Sequence, residues 1–279
     1  MAALPIGVNI ASIGSDPVWW LSAARRLEAA GYQGVWVWDH FMGPRGAPIP
    51  VVEAWTALSV AAGATERVEL GPFVINVINR HPAVVAGMAA TLHSMSGGRL
   101  VLGLGIGGGA EEHAALGMPL PPAPERVLRL REAVAVIRAL WTGEVVTRPS
   151  PFYPLAAAAG RRLDSPPPII VGAETRTGAR LAAEIGDGWT AFPLNFRENL
   201  PVYLDALAAA GKERAHQRVT IGFQGGVFAR PEEGDVLAPW CERPGETWQE
   251  WREAGADDAI LTAATPADID RLVAATARW

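Results

Sequence analysis

Short apolar runs alternate with longer segments of helical spacing along almost the whole chain. The first run is rich in β-formers, and the Asp16-Pro17 pair that follows it is typical of a helix N-cap with proline at the first helical position. The pattern then predicts a helix that ends at Gly31. This strand–helix pair recurs eight times. The predicted strands are Leu4–Ile10, Gly34–Trp38, Val68–Ile75, Leu100–Leu104, Ile169–Val171, Gly188–Phe192, Val219–Phe223 and Ala259–Thr262.

The helices between these strands are predicted from apolar positions that recur every three to four residues. The last of them begins with a capping-box pattern at Thr265 and runs to the end of the chain. The Pro/Ala-rich stretch Pro149–Pro168 predicts no regular element. The other predicted helices are Trp19–Ala30, Val52–Ala62, Ala83–Met95, Glu125–Trp141, Thr175–Ile185, Glu198–Ala210 and Thr247–Glu253.

Three similar helix–glycine–strand junctions, at Gly31, Gly186 and Gly255, indicate a repeating unit. Their separations correspond to four and then two βα units, which would place them before strands two, six and eight. Eight such units predict a (β/α)8 barrel in one domain over residues 1–279, and active sites of such barrels lie at the C-terminal ends of the strands. A doubly wound open sheet is the alternative, because the same alternation of elements serves both folds.

The strand ends supply the candidate chemistry, and the Asp39-His40 pair stands out among them. A histidine can exchange a proton near neutral pH, whereas the alternative is a pair that merely caps the strand. Neighbours on a strand point to opposite faces, so Asp39 is not expected to orient His40. The other strand-end candidates are Asn9, Val74, Ile75, Asn76, Gly105–Gly109, Gly172–Thr175, Phe192, Gln224 and Thr262.

Two glycine-containing turns suggest ligand binding. The run from Gly103 to Gly109 contains G-x-G-x-x-G, but a dinucleotide site needs a helix directly after it. The proline-rich segment Gly117–Pro124 argues against that site and leaves backbone that can approach a flat ring closely. The turn Gly172–Arg176 leads into a helix N-terminus, which suits a phosphate group or is an ordinary helix cap.

Composition narrows the class of protein. The chain is 49% hydrophobic and 19% charged with a formal net charge of −5, so we expect a folded protein that binds neither nucleic acid nor a membrane and resides in the cytoplasm. The histidines lack metal-ligand spacing, so no metal site is predicted. The single cysteine, Cys241, is predicted to lie in a loop without a base beside it. The Glu111-Glu112 pair is predicted to lie on a solvated loop face.

Taken in order along the chain, the motifs resemble the luciferase-like oxidoreductase family, in particular its branch that uses the deazaflavin coenzyme F420. The likeness covers roughly Leu4–Trp189, and the order and spacing of the motifs make it specific. It is carried by the segments Val35–Phe41, Glu53–Leu58, Thr65–Gly71, Arg80–Ala83, Ser96–Gly105, Arg131–Val134, Leu140–Gly143 and Gly186–Trp189.

The resemblance implies a barrel whose mouth holds the coenzyme against a bulge after strand three, with a cis peptide bond at Phe73–Val74. It also implies that His40 lies beside the reactive carbon as proton donor or base and that Asp39 contacts the ring edge. The remaining residues that it implies for coenzyme binding are Phe73, Val74 and Asn76 after strand three, Gly105, Gly107 and Gly108 along the ring or ribityl chain, and Gly172, Ala173, Glu174, Thr175 and Arg176 around the phosphate.

One departure from the family bears on the substrate. Some dehydrogenases of this branch carry a glutamate where this chain has Gly108, which disfavours a sugar-phosphate dehydrogenase. The resemblance therefore implies an F420-dependent oxidoreductase that transfers a hydride between the deazaflavin and a small, mostly apolar substrate. The alternatives are an FMN-dependent monooxygenase that uses oxygen and a non-catalytic flavin-binding barrel. The family also includes many dimers, so the resemblance is compatible with a homodimer.

Overall fold

The strands form where the apolar runs predict them, and the computed structural model describes them within residues 4–279. Most predicted strands shift by only one or two residues. The strands are β1 (Leu4–Ile10), β2 (Tyr32–Val37), β3 (Glu69–Pro72), β4 (Ile75–Asn76), β5 (Leu102–Gly105), β6 (Val145–Arg148), β7 (Leu155–Ala159), β8 (Ile169–Gly172), β9 (Gly188–Ala191), β10 (Arg218–Phe223) and β11 (Asp258–Ala263).

The helices begin at the capping signals in the sequence. The Asp16 side chain accepts a hydrogen bond from the backbone N–H of Trp19, and Thr265 forms the expected capping box with Asp268. The helices are α1 (Pro17–Ala29), α2 (Ala54–Ala64), α3 (Pro82–Met95), α4 (Ala110–Ala115), α5 (Ala123–Leu140), α6 (Arg176–Ile185), α7 (Pro193–Ala209), α8 (Ala238–Glu242), α9 (Pro244–Glu253) and α10 (Pro266–Ala275).

Nine parallel strands form one sheet in the order β3-β2-β1-β11-β10-β9-β8-β5-β4. Two backbone hydrogen bonds join the ends of the sheet. The N–H of Leu70 in β3 donates to the carbonyl oxygen of Arg99 at 3.0 Å, and the carbonyl oxygen of Leu70 accepts from the N–H of Val101 at 2.9 Å. Strands β3 and β4 are two halves of one barrel strand, interrupted at the cis peptide bond Phe73–Val74. The predicted (β/α)8 barrel is confirmed, and the open-sheet alternative is wrong.

Large apolar side chains fill the inside of the barrel. Trp36 and Phe73 meet edge to face there, and Ile170 and Ile260 pack against them. At the N-terminal ends of the strands, the Arg218 guanidinium lies between the carboxylates of Glu69 and Asp258. Burial alone would lower the pKa of Arg218, but these two carboxylates outweigh burial and raise it. This end of the barrel is therefore closed by an ion-pair cluster.

Several parts of the sequence prediction are corrected by the structure. The Pro149–Pro168 stretch contributes β7 to an antiparallel hairpin with β6. The third strand is not continuous over Val68–Ile75, and α7 begins five residues earlier than predicted. Cys241 lies buried in the short helix α8, not in a loop. Within residues 4–279, no helix combines the length and the apolar character that a membrane span requires.

Candidate active site

A cavity of about 420 Å³ opens at the C-terminal ends of the barrel strands. Such a position is where barrels of this type carry their active sites. Of the residues predicted to bind the coenzyme, only Arg176 lies outside its walls; its side chain is 58% exposed and its guanidinium lies 4.0 Å from the Glu198 carboxylate. The predicted residues that line the cavity are Asp39, His40, Phe73, Val74, Asn76, Gly105, Gly107, Gly108, Gly172, Ala173, Glu174 and Thr175.

Val74 forms a ledge on the cavity wall, directly after the cis peptide bond at Phe73–Val74 that the resemblance implied. Glycines on the neighbouring strands make room for this side chain. A Cβ atom at Gly105 would lie 2.7 Å from Val74 Cγ2, and one at Gly172 would lie 3.2 Å from it. A larger residue at position 105 would therefore push the Val74 side chain out of its place.

Asp39 is buried and fully engaged by neighbouring residues. The Arg80 guanidinium donates to both of its carboxylate oxygens at 2.7 and 2.9 Å, and the backbone N–H of Asn76 donates at 3.1 Å. Burial raises the pKa of Asp39, although the charge of Arg80 opposes that rise. Asp39 has no hydrogen bond to His40 among the contacts of residues 4–279, as the strand geometry predicts. The carboxylate anchors the loop after β4 instead.

The partner of His40 is Glu112, which the sequence analysis had placed on a solvated loop face. That prediction is wrong for Glu112: its side chain is only 9% exposed, and Oε2 lies 2.9 Å from His40 Nδ1. Glu111 is exposed as predicted, but it lies in the helix α4 and not in a loop. The unpredicted helix α4 turns Glu112 inward, because its first turn follows the left-handed Gly109. The site therefore contains an acid beside His40 although Gly108 itself supplies none.

The glycine loop after β5 rests on a buried pair of polar side chains. Asn76 Nδ2 lies 3.1 Å from His113 Nε2, and Asn76 Oδ1 accepts the backbone N–H of Ile78 at 2.9 Å. Gly107 adopts a φ of +77° directly over this pair, where a Cβ atom would lie 1.9 Å from Asn76 Oδ1. The glycine at this position is required both by the backbone conformation and by the space available.

We expect Gly107→Ala to lower the free energy of unfolding by about 2–3 kcal/mol, because a Cβ atom there both strains the left-handed backbone and displaces Asn76. Gly108→Ala is the matched control, since a Cβ atom at Gly108 meets no atom within 4 Å. Urea denaturation of the two variants measures the difference. Equal stabilities would show that the contact between Gly107 and Asn76 is unimportant.

The turn between β8 and α6 was predicted to hold a phosphate group. Thr175, Thr177 and Gly178 bring the first turn of α6 to the cavity wall, and Thr175 caps it by accepting from Gly178 at 3.1 Å. The Glu174 carboxylate is bonded elsewhere, to the backbone N–H of Phe192 at 3.0 Å. Burial raises the pKa of Glu174. Phosphate binding at this turn remains a prediction, with the helix N-terminus rather than the Glu174 side chain as its natural donor.

The rest of the cavity wall is mostly apolar, and sequence reasoning missed much of it. Trp38 and Phe228 meet edge to face with ring centroids 4.9 Å apart. No arginine or lysine belongs to the cavity wall in the described chain. Two strand-end candidates, Asn9 and Thr262, lie outside the cavity and bond to each other at 3.3 Å. The wall residues not predicted are Trp38, Val127, Leu130, Val171, Thr177, Gly178, Leu181, Thr190, Ala191 and Phe228.

Metal binding finds no support in this part of the molecule. Across residues 4–279, no cluster of three or more histidine, cysteine, aspartate or glutamate side chains has a geometry that could hold a metal ion.

The fold and the cavity define a (β/α)8 barrel with a bulged third strand and a cavity at its C-terminal mouth. The sequence model of the luciferase-like monooxygenases matches residues 20–270. The chain therefore belongs to the luciferase-like monooxygenase family.

Comparison with individual proteins agrees with this assignment. An F420-dependent glucose-6-phosphate dehydrogenase of Beutenbergia cavernae is 40% identical over 192 residues, which are 67% of this chain and 55% of that protein. The match thus spans little more than half the length of that relative. A solved F420-dependent secondary alcohol dehydrogenase in complex with an F420-acetone adduct superposes with a TM-score of 0.80 at 23% identity, covering 98% of this chain and 97% of that chain.

A second solved structure shares the fold. The coenzyme F420-dependent tetrahydromethanopterin reductase of Methanopyrus kandleri superposes with a TM-score of 0.76 at 18% identity, covering 99% of this chain and 98% of that chain. At such low identities the two structures establish the barrel fold alone. The activity of this chain has to be argued from its own site.

Proposed function

We propose that this protein is an F420-dependent oxidoreductase that transfers a hydride between the deazaflavin and a small, mostly apolar, uncharged substrate. The observation that carries the proposal is His40 at the edge of an apolar cavity, with one ring nitrogen held by Glu112. The relatives named as F420-dependent dehydrogenases support the choice of coenzyme. The luciferase-like family assignment supports a redox enzyme in general.

The cavity fits a flat ring with a phosphate-bearing chain. Gly108 leaves open space beside the wall, and the Val74 ledge offers an apolar surface for a ring to lie against. Gly105 and Gly107 would line the ring or the ribityl chain, and the first turn of α6 would donate backbone N–H groups to the phosphate. When bound, the deazaflavin supplies the acceptor or donor of the hydride.

The proton is the part of the reaction that this chain itself handles. Oxidation of an alcohol releases a hydride from carbon and a proton from oxygen, and the reverse reaction consumes both. His40 lines the cavity and is 33% exposed, so its free ring nitrogen can take up or return that proton. The rings of Trp38 and Phe228 give the cavity wall beside His40 an apolar surface.

Charge in the cavity bears on the class of substrate. The named relatives act on glucose 6-phosphate, whose phosphate group carries negative charge near neutral pH. A site for such an anion normally supplies arginine or lysine, and neither belongs to the described cavity wall. Because Glu112 places an acid beside His40, the missing glutamate at position 108 no longer argues against a sugar phosphate. The proposal of an uncharged substrate therefore rests on charge alone.

Fluorescence titration of the purified protein with F420 and with FMN tests the coenzyme, and the change in F420 absorbance with 2-propanol or glucose 6-phosphate tests the substrate class. We expect tight binding of F420 and turnover of 2-propanol in preference to glucose 6-phosphate. Selective FMN binding with oxygen uptake would establish the monooxygenase alternative. Binding of F420 without turnover of either compound would favour a binding barrel.

A further inference from the structure

The Glu112 carboxylate ties together two loops at the rim of the barrel. It belongs to α4, after β5, and it reaches the loop after β2 that carries His40. We propose that Glu112 is a positioning residue that fixes the His40 imidazole as the Nδ1–H tautomer, so that Nε2 is the atom that exchanges the proton. The catalytic meaning of this inference rests on the proposed function, but the tautomer itself does not.

The carboxylate uses its two oxygens for different tasks. Oε2 lies 2.9 Å from His40 Nδ1, while Oε1 accepts the backbone N–H of Phe41 and that of Met42, the latter at 3.2 Å. Glu112 therefore meets two backbone N–H donors and one ring nitrogen at once. An ionised carboxylate, which only accepts hydrogen bonds, suits the two backbone donors.

The ionised state of Glu112 follows from the same contacts. Burial alone would raise its pKa, but the hydrogen bonds from His40 and from the two backbone N–H groups outweigh burial and lower it. Because an ionised carboxylate cannot donate, the proton shared with His40 must be on Nδ1 of the ring. The second nitrogen of a neutral imidazole then carries the lone pair.

The imidazole is held in place from a second side. The Phe228 ring lies 5.1 Å from the His40 ring, centroid to centroid, with an angle of 38° between the planes. Among residues 4–279, no side chain or backbone group forms a hydrogen bond with Nε2 of His40, which belongs to the cavity wall. Nε2 is thus left for the substrate, while Nδ1 is committed to Glu112.

A glutamine at position 112 separates positioning from simple packing. Its amide has nearly the shape of the carboxylate but only one accepting oxygen. If that oxygen stays with the two backbone N–H groups, the NH2 group faces His40 Nδ1, which must then accept and shift the ring proton to Nε2. Such a ring presents an N–H donor at Nε2, where the Nδ1–H tautomer presents a lone pair that can accept a proton.

The test compares Glu112→Gln with Glu111→Gln, a change of the same kind at the exposed neighbour. Long-range proton–nitrogen NMR correlation on protein with labelled histidine shows which ring nitrogen carries the proton, with the His40 signals identified by their loss in His40→Gln. We expect the Nδ1–H form in the parent and in Glu111→Gln, and the Nε2–H form in Glu112→Gln. The kcat for 2-propanol oxidation should fall about 10–100-fold in Glu112→Gln, with the dissociation constant of F420 changed less than about threefold.

An Nε2–H form in the parent, or an unchanged tautomer and unchanged kcat in Glu112→Gln, would overturn the inference. The NMR measurement needs neither coenzyme nor substrate, so it separates the two proposals. A tautomer that depends on Glu112 in a protein that does not bind F420 would retain the positioning role and reject the proposed function. Turnover with F420 and no dependence on Glu112 would do the reverse.

Discussion

Replacement of His40 by alanine is expected to lower kcat about 10³-fold and to leave the dissociation constant of F420 within about threefold of the parent value. A positioned general acid or base contributes roughly 10²–10⁴-fold, and alanine removes the only titratable ring on the described cavity wall. The ring and phosphate contacts proposed for the coenzyme come from other strands, so its affinity should persist. Fluorescence titration gives the affinity, and the change in F420 absorbance during 2-propanol oxidation gives kcat.

His216→Ala is the matched control for this experiment, because His216 lies on the surface and its side chain is 77% exposed. It should behave like the parent in both measurements. A parent-like kcat in His40→Ala would remove the imidazole from the mechanism. A loss of F420 affinity as large as the loss of kcat would indicate that His40 binds the coenzyme instead of moving a proton.

Arg218→Leu is expected to lower the free energy of unfolding by about 3–5 kcal/mol at pH 8. The change leaves the buried carboxylate of Asp258 and the partly exposed carboxylate of Glu69 without the guanidinium that neutralises them. Urea denaturation measures the loss. Arg162→Leu, at an exposed pair with Asp164, should cost less than about 1 kcal/mol.

The loss of unfolding free energy in Arg218→Leu should depend on pH in a defined direction. Burial already raises the pKa of Asp258 in the folded parent, and loss of the neighbouring cation removes the interaction that opposes the rise. A carboxyl group whose pKa is higher in the folded than in the unfolded protein destabilises the fold as pH rises through the folded pKa. The loss of unfolding free energy in Arg218→Leu should therefore shrink as pH falls from 8 toward 5. A deficit that is the same at both pH values would show that lost packing, not unpaired charge, causes it.

Much of the barrel could be predicted because its signals are local. Asp16-Pro17 and the Thr265 capping box mark helix starts within a few residues, and the glycine junctions at Gly31, Gly186 and Gly255 precede strands as predicted. The hairpin in the Pro149–Pro168 stretch was missed because alanine and proline carry no clear strand pattern. The break in the third strand was expected only from the family resemblance.

The candidate site was predictable where a strand end alone places a residue. Asn76 and Gly172 are the last residues of β4 and β8, and His40 lies three residues after β2, so the barrel rule nominated them before any contact was known. Glu112 was missed because nothing in Glu111-Glu112 distinguishes the two carboxylates. One signal was available: Glu112 lies three residues after Gly109. If a short helix begins directly after that glycine, this spacing turns the Glu112 side chain inward.

The sequence by itself determined the alternation of elements, the strand ends and most of the residues that line the cavity. These features depend on hydrophobic period, caps and turn residues, which act over a few positions. Only the tertiary structure decided that Arg80 neutralises Asp39 and that Glu112 meets His40. Each of those contacts joins different loops at the barrel rim, and closure of the barrel, not the local sequence, brings those loops together.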